Sequence, residues 1–193
     1  ATSSETCLIR GGRIARVGDV LIVGDTLRTP ELRHEVALGI PDPFVYVEKD
    51  GQRLVVVSSM EAMRVEALGG GLDVRPTEEF GADEIRRSGL GIHEAAVRLT
   101  LQIVQGLGLD RATVPAGFPL GHADALRAAG IELAVDQGLF DDRRRRKSDA
   151  ELAGIRRAQK AAEVGVETAR ELLARAERAN GGLTLDGEPL TCE

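Results

Sequence analysis

The chain holds 193 residues, enough for one full domain and a remnant, since domains typically run to about 100–150 residues. Its 42% hydrophobic content supports a packed core and excludes a disordered or collagen-like chain. A formal charge of −6 argues against nucleic acid as a partner, because phosphate-binding surfaces need surplus Lys and Arg, and 3% aromatic content leaves little for base stacking or aromatic cages.

In chain order, Ala1 to Cys7 is small and polar and lacks the charged-then-apolar order of a secretory leader. No run approaches the ~18 apolar residues of a spanning helix, so a soluble, cytoplasmic protein without a membrane partner is expected. Val20 to Val23 is an apolar, β-branched run bounded by Asp19 and Gly24, which suits a buried strand. Phe44 to Val47 and Leu54 to Val57 are two more, and Asp50-Gly51 between them predicts an antiparallel hairpin, because Gly tolerates the positive φ of such turns. Ser58 and Glu61 stand three apart and predict a capping box opening a helix to about Leu68. Gly69-Gly70-Gly71 ends it.

Leu72 to Val74 then reads as a strand, Glu94 to Leu107 as an amphipathic helix, Ala112 to Pro115 as a strand, Leu120 to Ala129 as a helix and Ile131 to Val135 as a strand. This alternation predicts an α/β fold: a three-layer module over a mixed, mostly parallel sheet containing one antiparallel hairpin. A long C-terminal linker helix follows. Ser148-Asp149-Ala150-Glu151 is a second capping box. From Leu152 through Ile155, Gln159, Ala162, Val166, Ala169 and Leu173 to Ala176, one seam repeats at steps of three and four, up to a stop at Asn180-Gly181-Gly182. The expected domains are 1–147 for the α/β module, 148–180 for the helix and 181–193 for a polar tail. The chain opens on Ala1 and closes on Glu193 within a polar stretch, so it reads as a piece of a larger protein, with the helix as its connector to an absent neighbour.

Candidate chemistry is sparse. His34-Glu35-Val36-Ala37-Leu38 and His93-Glu94-Ala95-Ala96-Val97 begin like a zinc-protease helix, but an apolar residue stands where the second His ligand belongs. His122 and Asp124 diverge by about 200° on a helix and cannot share an ion. Gly69-Gly70-Gly71 leads from helix to strand, the reverse of a phosphate-binding turn, and Gly89-Leu90-Gly91 lacks the third glycine. No Gly-x-Ser-x-Gly elbow exists, and neither Cys7 nor Cys192 has a His or a second Cys near it in sequence. With 31 acidic residues, pairs such as Glu78-Glu79 and Asp141-Asp142 read as solvated surface. Arg143 to Lys147 forms a basic run resembling a nucleic-acid patch, yet it follows two Asp and precedes a capped helix. No catalytic, cofactor-binding or metal site is assigned within the chain.

That junction carries a resemblance. Ile131 to Asp136, an Arg-rich turn, and Lys147-Ser148-Asp149-Ala150-Glu151-Leu152 with Ile155-Arg156-Arg157-Ala158 and Ala161-Ala162-Glu163 resemble the domain junction of the pita-bread metallopeptidases. This is the family of creatinase, aminopeptidase P and prolidase. Upstream, Pro41-Asp42-Pro43-Phe44 with the hairpin and Ser58-Ser59-Met60-Glu61 resemble its N-terminal domain. The resemblance implies a non-catalytic module that shapes the active-site cleft and mediates dimerisation. In the parent, a C-terminal catalytic domain would supply two divalent cations (Mn, Co or Zn) and hydrolyse Xaa-Pro bonds of a peptide substrate. Where relatives often carry Asn and Tyr-Leu-Thr-Gly, this chain has Leu32-Arg33-His34-Glu35 to Gly39. Arg33 and His34, on the loop after the first strand, are the candidates to face substrate. Two other readings keep the fold: a peptidase-like binding module without catalysis, as in certain histone chaperones, and the N-terminal domain of a creatinase-like small-molecule hydrolase.

Overall fold

A computed structural model of the chain describes residues 7–10, 13–16, 18–179 and 181–190. Two compact units divide it, Ala1–Arg144 and Arg145–Glu193. In the first, β1 (Cys7–Arg10) and β2 (Arg13–Arg16) form an antiparallel ribbon of their own. The main sheet holds β3 (Val20–Gly24), β4 (Phe44–Lys49), β5 (Gln52–Val57), β6 (Leu72–Pro76), β7 (Arg111–Val114) and β8 (Glu132–Val135), in the order β6-β5-β4-β3-β7-β8. The β5–β6, β3–β7 and β7–β8 pairings are parallel, whereas β4 pairs antiparallel with both its neighbours. The other five strands therefore share one direction. The β4–β5 turn is the two-residue turn expected, with φ of 51° at Asp50 and 78° at Gly51.

The central strands β3, β4 and β5 are buried on both faces, and period two sorts their side chains into two cores. Leu21, Val23, Val45, Val47, Leu54 and Val56 pack toward α4 (Ile92–Gly106) and α5 (Leu120–Ala128), meeting Ile103, Val104 and Leu126. Val20, Ile22, Phe44, Tyr46, Val55 and Val57 face the other way, toward α1 (Pro30–Glu35), α2 (Ser59–Glu66) and α6 (Gln137–Arg145), meeting Leu32, Val65 and Phe140. The result is the three-layer mixed α/β module expected.

Several elements differ from the sequence reading. The segment after β3, read as a loop, contains α1; its Pro30 opens a helix because the missing N–H is unneeded in a first turn. Thr77–Phe80 is a 3-10 turn and α3 covers Ala82–Arg87, both too short to show periodicity. The Arg-rich turn is the end of α6. The box at α2 is not formed: Ser58 is the N-cap but its side chain makes no capping hydrogen bond, and Glu61 instead accepts from Arg64 at 2.6 Å.

In the second unit, α7 (Asp149–Arg175) opens with both bonds of its box, Glu151 N to Ser148 Oγ at 3.2 Å and Ser148 N to Glu151 Oε2 at 2.7 Å. Its 27 residues at about 1.5 Å each make a rod of roughly 40 Å. The helix stops at Arg175, short of the expected glycine stop, because Ala176 is extended and the next residues enter a small sheet. There β9 (Glu177–Ala179), β10 (Gly182–Leu185) and β11 (Glu188–Pro189) pair antiparallel in the order β11-β10-β9. The tail read as merely polar thus carries strands; Asn180 and Cys192 lie outside the described residues.

Candidate functional site at the carboxyl edge of the sheet

Adjacent parallel strands β3 and β7 send their chains to opposite faces, β3 into α1 and β7 into α5. Where two such connections part, a crevice opens at the carboxyl ends of the strands. A cleft of about 330 Å³ lies there, lined by Val23, Arg28, Thr29, Pro30 and Glu31 from the first connection and by Pro115 and Gly117 from the second. Gln137 at the start of α6 completes the wall. Its Oε1 accepts from Ala116 N at 3.0 Å, and its Nε2 donates to Glu31 Oε1 at 3.1 Å and Asp141 Oδ1 at 2.9 Å.

The loop before α1 is held rigidly. Asp25 and Thr26 are buried, which is tolerable only with their hydrogen bonds made. Asp25 Oδ1 accepts from Leu27 N at 2.9 Å and Arg28 N at 2.8 Å. Thr26 Oγ1 donates to Leu38 O at 2.6 Å and accepts from Ile40 N at 2.7 Å, tying the loop to the segment that leads into β4. Gly24 is required where the chain leaves β3, because a Cβ there would collide with Thr29 Oγ1. Arg28 reaches outward, its side chain 88% exposed, with Asp25 Oδ2 3.7 Å away.

A second cluster fastens α6 to the module. Arg143 donates to Glu35 Oε1 at 3.1 Å and Glu48 Oε2 at 2.7 Å, and Tyr46 OH donates to Glu35 Oε2 at 3.1 Å. Burial, then the charges of Glu35 and Glu48, push the Tyr46 phenol well above its ordinary range. Burial opposes the Arg143 charge, yet hydrogen bonding and attraction from Glu48 and Glu35 outweigh it and hold the guanidinium more firmly protonated. Arg144 pairs with Glu31 Oε1 at 3.4 Å. Two cations of the basic run are therefore committed to neighbouring carboxylates, and the run's resemblance to a nucleic-acid patch is local to the sequence.

Arg33 and His34 fall in the last turn of α1 rather than on a loop. Arg33 is exposed and His34 half-buried, and neither lines the cleft. Arg33 reaches back over Gly39, where a Cβ would stand 3.5 Å from its Nη1. His93 is exposed on α4, while His122 is half-buried on α5, where burial lowers its pKa from the usual 6.5. The histidines sit on three different helices, and among the described residues no three His, Cys, Asp or Glu side chains come together as a metal-ligand set. The described residues do not fit a dinuclear metal centre. Among the described residues no helix is long and apolar enough to cross a membrane.

Sequence reasoning missed the cleft because its parts come from three connections, although Asp25-Thr26 directly after an apolar strand was a readable turn signal. The same edge gathers exposed apolar side chains. Leu27 follows β3, Met60 opens α2, Leu90 and Ile92 precede or open α4, Leu120 opens α5 and Val135 ends β8, all exposed. The strand directions and the return of each helix put these positions at the carboxyl edge; Leu68, past the end of α2, is at the opposite one.

No protein-family model matches the sequence, and no curated protein matches it. Solved structures do. The prolidase from Pyrococcus horikoshii OT3 superposes with a TM-score of 0.56 at 15% identity, over 84% of this chain and 40% of that one. An Xaa-Pro dipeptidase from Bacillus anthracis follows at 0.50 and 12%, over 70% and 33%. The fold is that of a prolidase-type N-terminal domain. An aminopeptidase P, an Xaa-Pro aminopeptidase from Streptococcus thermophilus, is similar at 0.46 and 12%, over 66% of this chain and 85% of that one. The chain spans well under half the length of the prolidase and of the dipeptidase, and at these identities the likeness is one of fold.

Proposed function

We propose that the chain is the non-catalytic N-terminal part of a longer Xaa-Pro metallopeptidase, an aminopeptidase P or dipeptidase, in which residues 1–147 wall one side of the active-site cleft and support dimerisation. Residues 148–180 would connect it to a catalytic domain that supplies two divalent ions. The observation that carries this reading is the prolidase-type fold followed by a helix on which every residue from Ile155 to Glu171 is exposed. Exposed apolar side chains at the openings of α2, α4 and α5 add surface available for contact. In this arrangement the module limits substrate length by its shape and orients the peptide, and it moves no proton. Arg33 and His34 are the residues proposed to face substrate, being the polar end of α1 beside the Leu38–Ile40 segment.

The test compares two proteins loaded with Mn²⁺, the 193-residue chain and the same chain extended by the roughly 200 residues that its gene encodes next, a length typical of one further domain. The extended protein is expected to hydrolyse Xaa-Pro dipeptides, and the shorter one to show no turnover. In the extended protein, Arg33→Ala with His34→Ala should lower kcat/KM. Turnover by the shorter chain would overturn the proposal, and unchanged kinetics in the double variant would remove those two residues.

A further inference from the structure

We infer that the cleft between the carboxyl ends of β3 and β7 binds a small carboxylate with a branched apolar body, of amino-acid size, with Arg28 anchoring the charge. The inference stands on the geometry of this chain and does not require a peptidase parent. The cleft occupies the point where the chain connections part to opposite faces, which is where open α/β sheets hold their ligands. Its volume of about 330 Å³ falls at the small end of the range for small-molecule sites and calls for a compact ligand. Val23, Pro30 and Pro115 give it apolar walls.

The polar lining selects the ligand's charge. Gln137 spends its amide on Ala116, Glu31 and Asp141, so it builds the wall rather than reading a ligand. Glu31 Oε1 is shared by Gln137 and Arg144, which offsets its charge. Arg28 is the one Lys, Arg or His among the lining residues, and its pairing with Asp25 is long at 3.7 Å. Asp25 meanwhile gives its other oxygen to two backbone N–H groups. The guanidinium is therefore an available planar fork, and one such fork matches a carboxylate in two parallel hydrogen bonds. A phosphate group would call for several converging donors. The pinned Asp25-Thr26 loop keeps Arg28 attached to a fixed backbone, so that on binding its side chain is what has to order.

The test is an amide-resolved NMR titration of the 193-residue chain with isovalerate, with isovaleramide as its uncharged isostere, and with the dipeptide Gly-Leu. Isovalerate should shift the amides of Val23, Thr29, Gly117 and Gln137 saturably, with half-saturation at about 1 mM and weakening as salt rises, because Arg28 is exposed. A matching response to Gly-Leu assigns the cleft to peptide C-termini, and response to isovalerate alone assigns it to free acids. Arg28→Ala should weaken binding at least about tenfold, with Arg28→Lys intermediate. Gly117→Leu should abolish it without loss of fold, since a Cβ at Gly117 meets nothing within 4 Å. No saturable shift up to about 20 mM, equal response to the amide, response to Gly-Leu alone, or an unaffected Arg28→Ala would overturn the inference.

Discussion

Arg143 shows how a residue that reads as surface charge becomes structural. Its side chain is 20% exposed, and its partners Glu35 and Glu48 are 10% and 24% exposed, so the three charges are largely shielded from water. Removing the cation leaves two carboxylates facing each other, a change that costs more than the pair itself contributes. Arg143→Met should therefore destabilise the first unit by about 2 kcal/mol, below the value for a fully buried pair because some solvent reaches each group. Adding Glu48→Gln should recover part of that loss, since it deletes one of the stranded charges. Urea unfolding of both variants checks this, and additive losses would mean that the three side chains are not coupled. Five consecutive basic residues in the sequence announce a patch, and nothing local says which two point inward. That depends on Phe140, which is buried and sets the rotation of α6.

At the scale of the element, strands and their turn were legible because they obey short-range rules. Val20 to Val23 is apolar throughout, as a strand buried on both faces must be, and Asp50-Gly51 has the positive φ values its turn demands. The helices α1 and α3, of six residues each, span under two turns and display no repeat to read. Asp186-Gly187, with φ of 52° and 88°, is the same turn signal as Asp50-Gly51 and joins β10 to β11, but short flanking strands hid it. The candidate cleft was illegible for a different reason, since Arg28 and Gln137 are 109 positions apart and meet only through the sheet order. Capping boxes divide the same way. At Ser148 both reciprocal bonds form, whereas at Ser58 Glu61 is drawn off by Arg64. Ser148→Ala should cost the start of α7 about 1 kcal/mol, while Ser58→Ala should cost α2 less than about half that. Amide exchange in the first turn of each helix measures both, and equal effects would show that sequence spacing alone determines capping.

At the scale of the whole molecule, the two units are stabilised differently. The first buries two cores against its sheet. The long helix of the second has no buried residue and relies on its capping box and on pairs such as Arg170 with Glu167 at 2.6 Å. A cap holds only the first turn, and a fully exposed ion pair adds little in water, so an amphipathic helix of this length ordinarily draws its stability from packing that its seam provides. Val166 and Leu173 are 70% and 56% exposed. Within this chain the seam therefore contributes little, and Val166→Asp with Leu173→Glu should move the melting temperature of the 193-residue protein by no more than about 2 °C. In the extended protein the same pair should lower the melting temperature by several times that amount and reduce the Xaa-Pro activity with it, because burying a carboxylate in an apolar contact is costly. A large loss of stability in the short chain would place the seam inside its own fold, and an unaffected extended protein would leave the helix without the partner proposed for it.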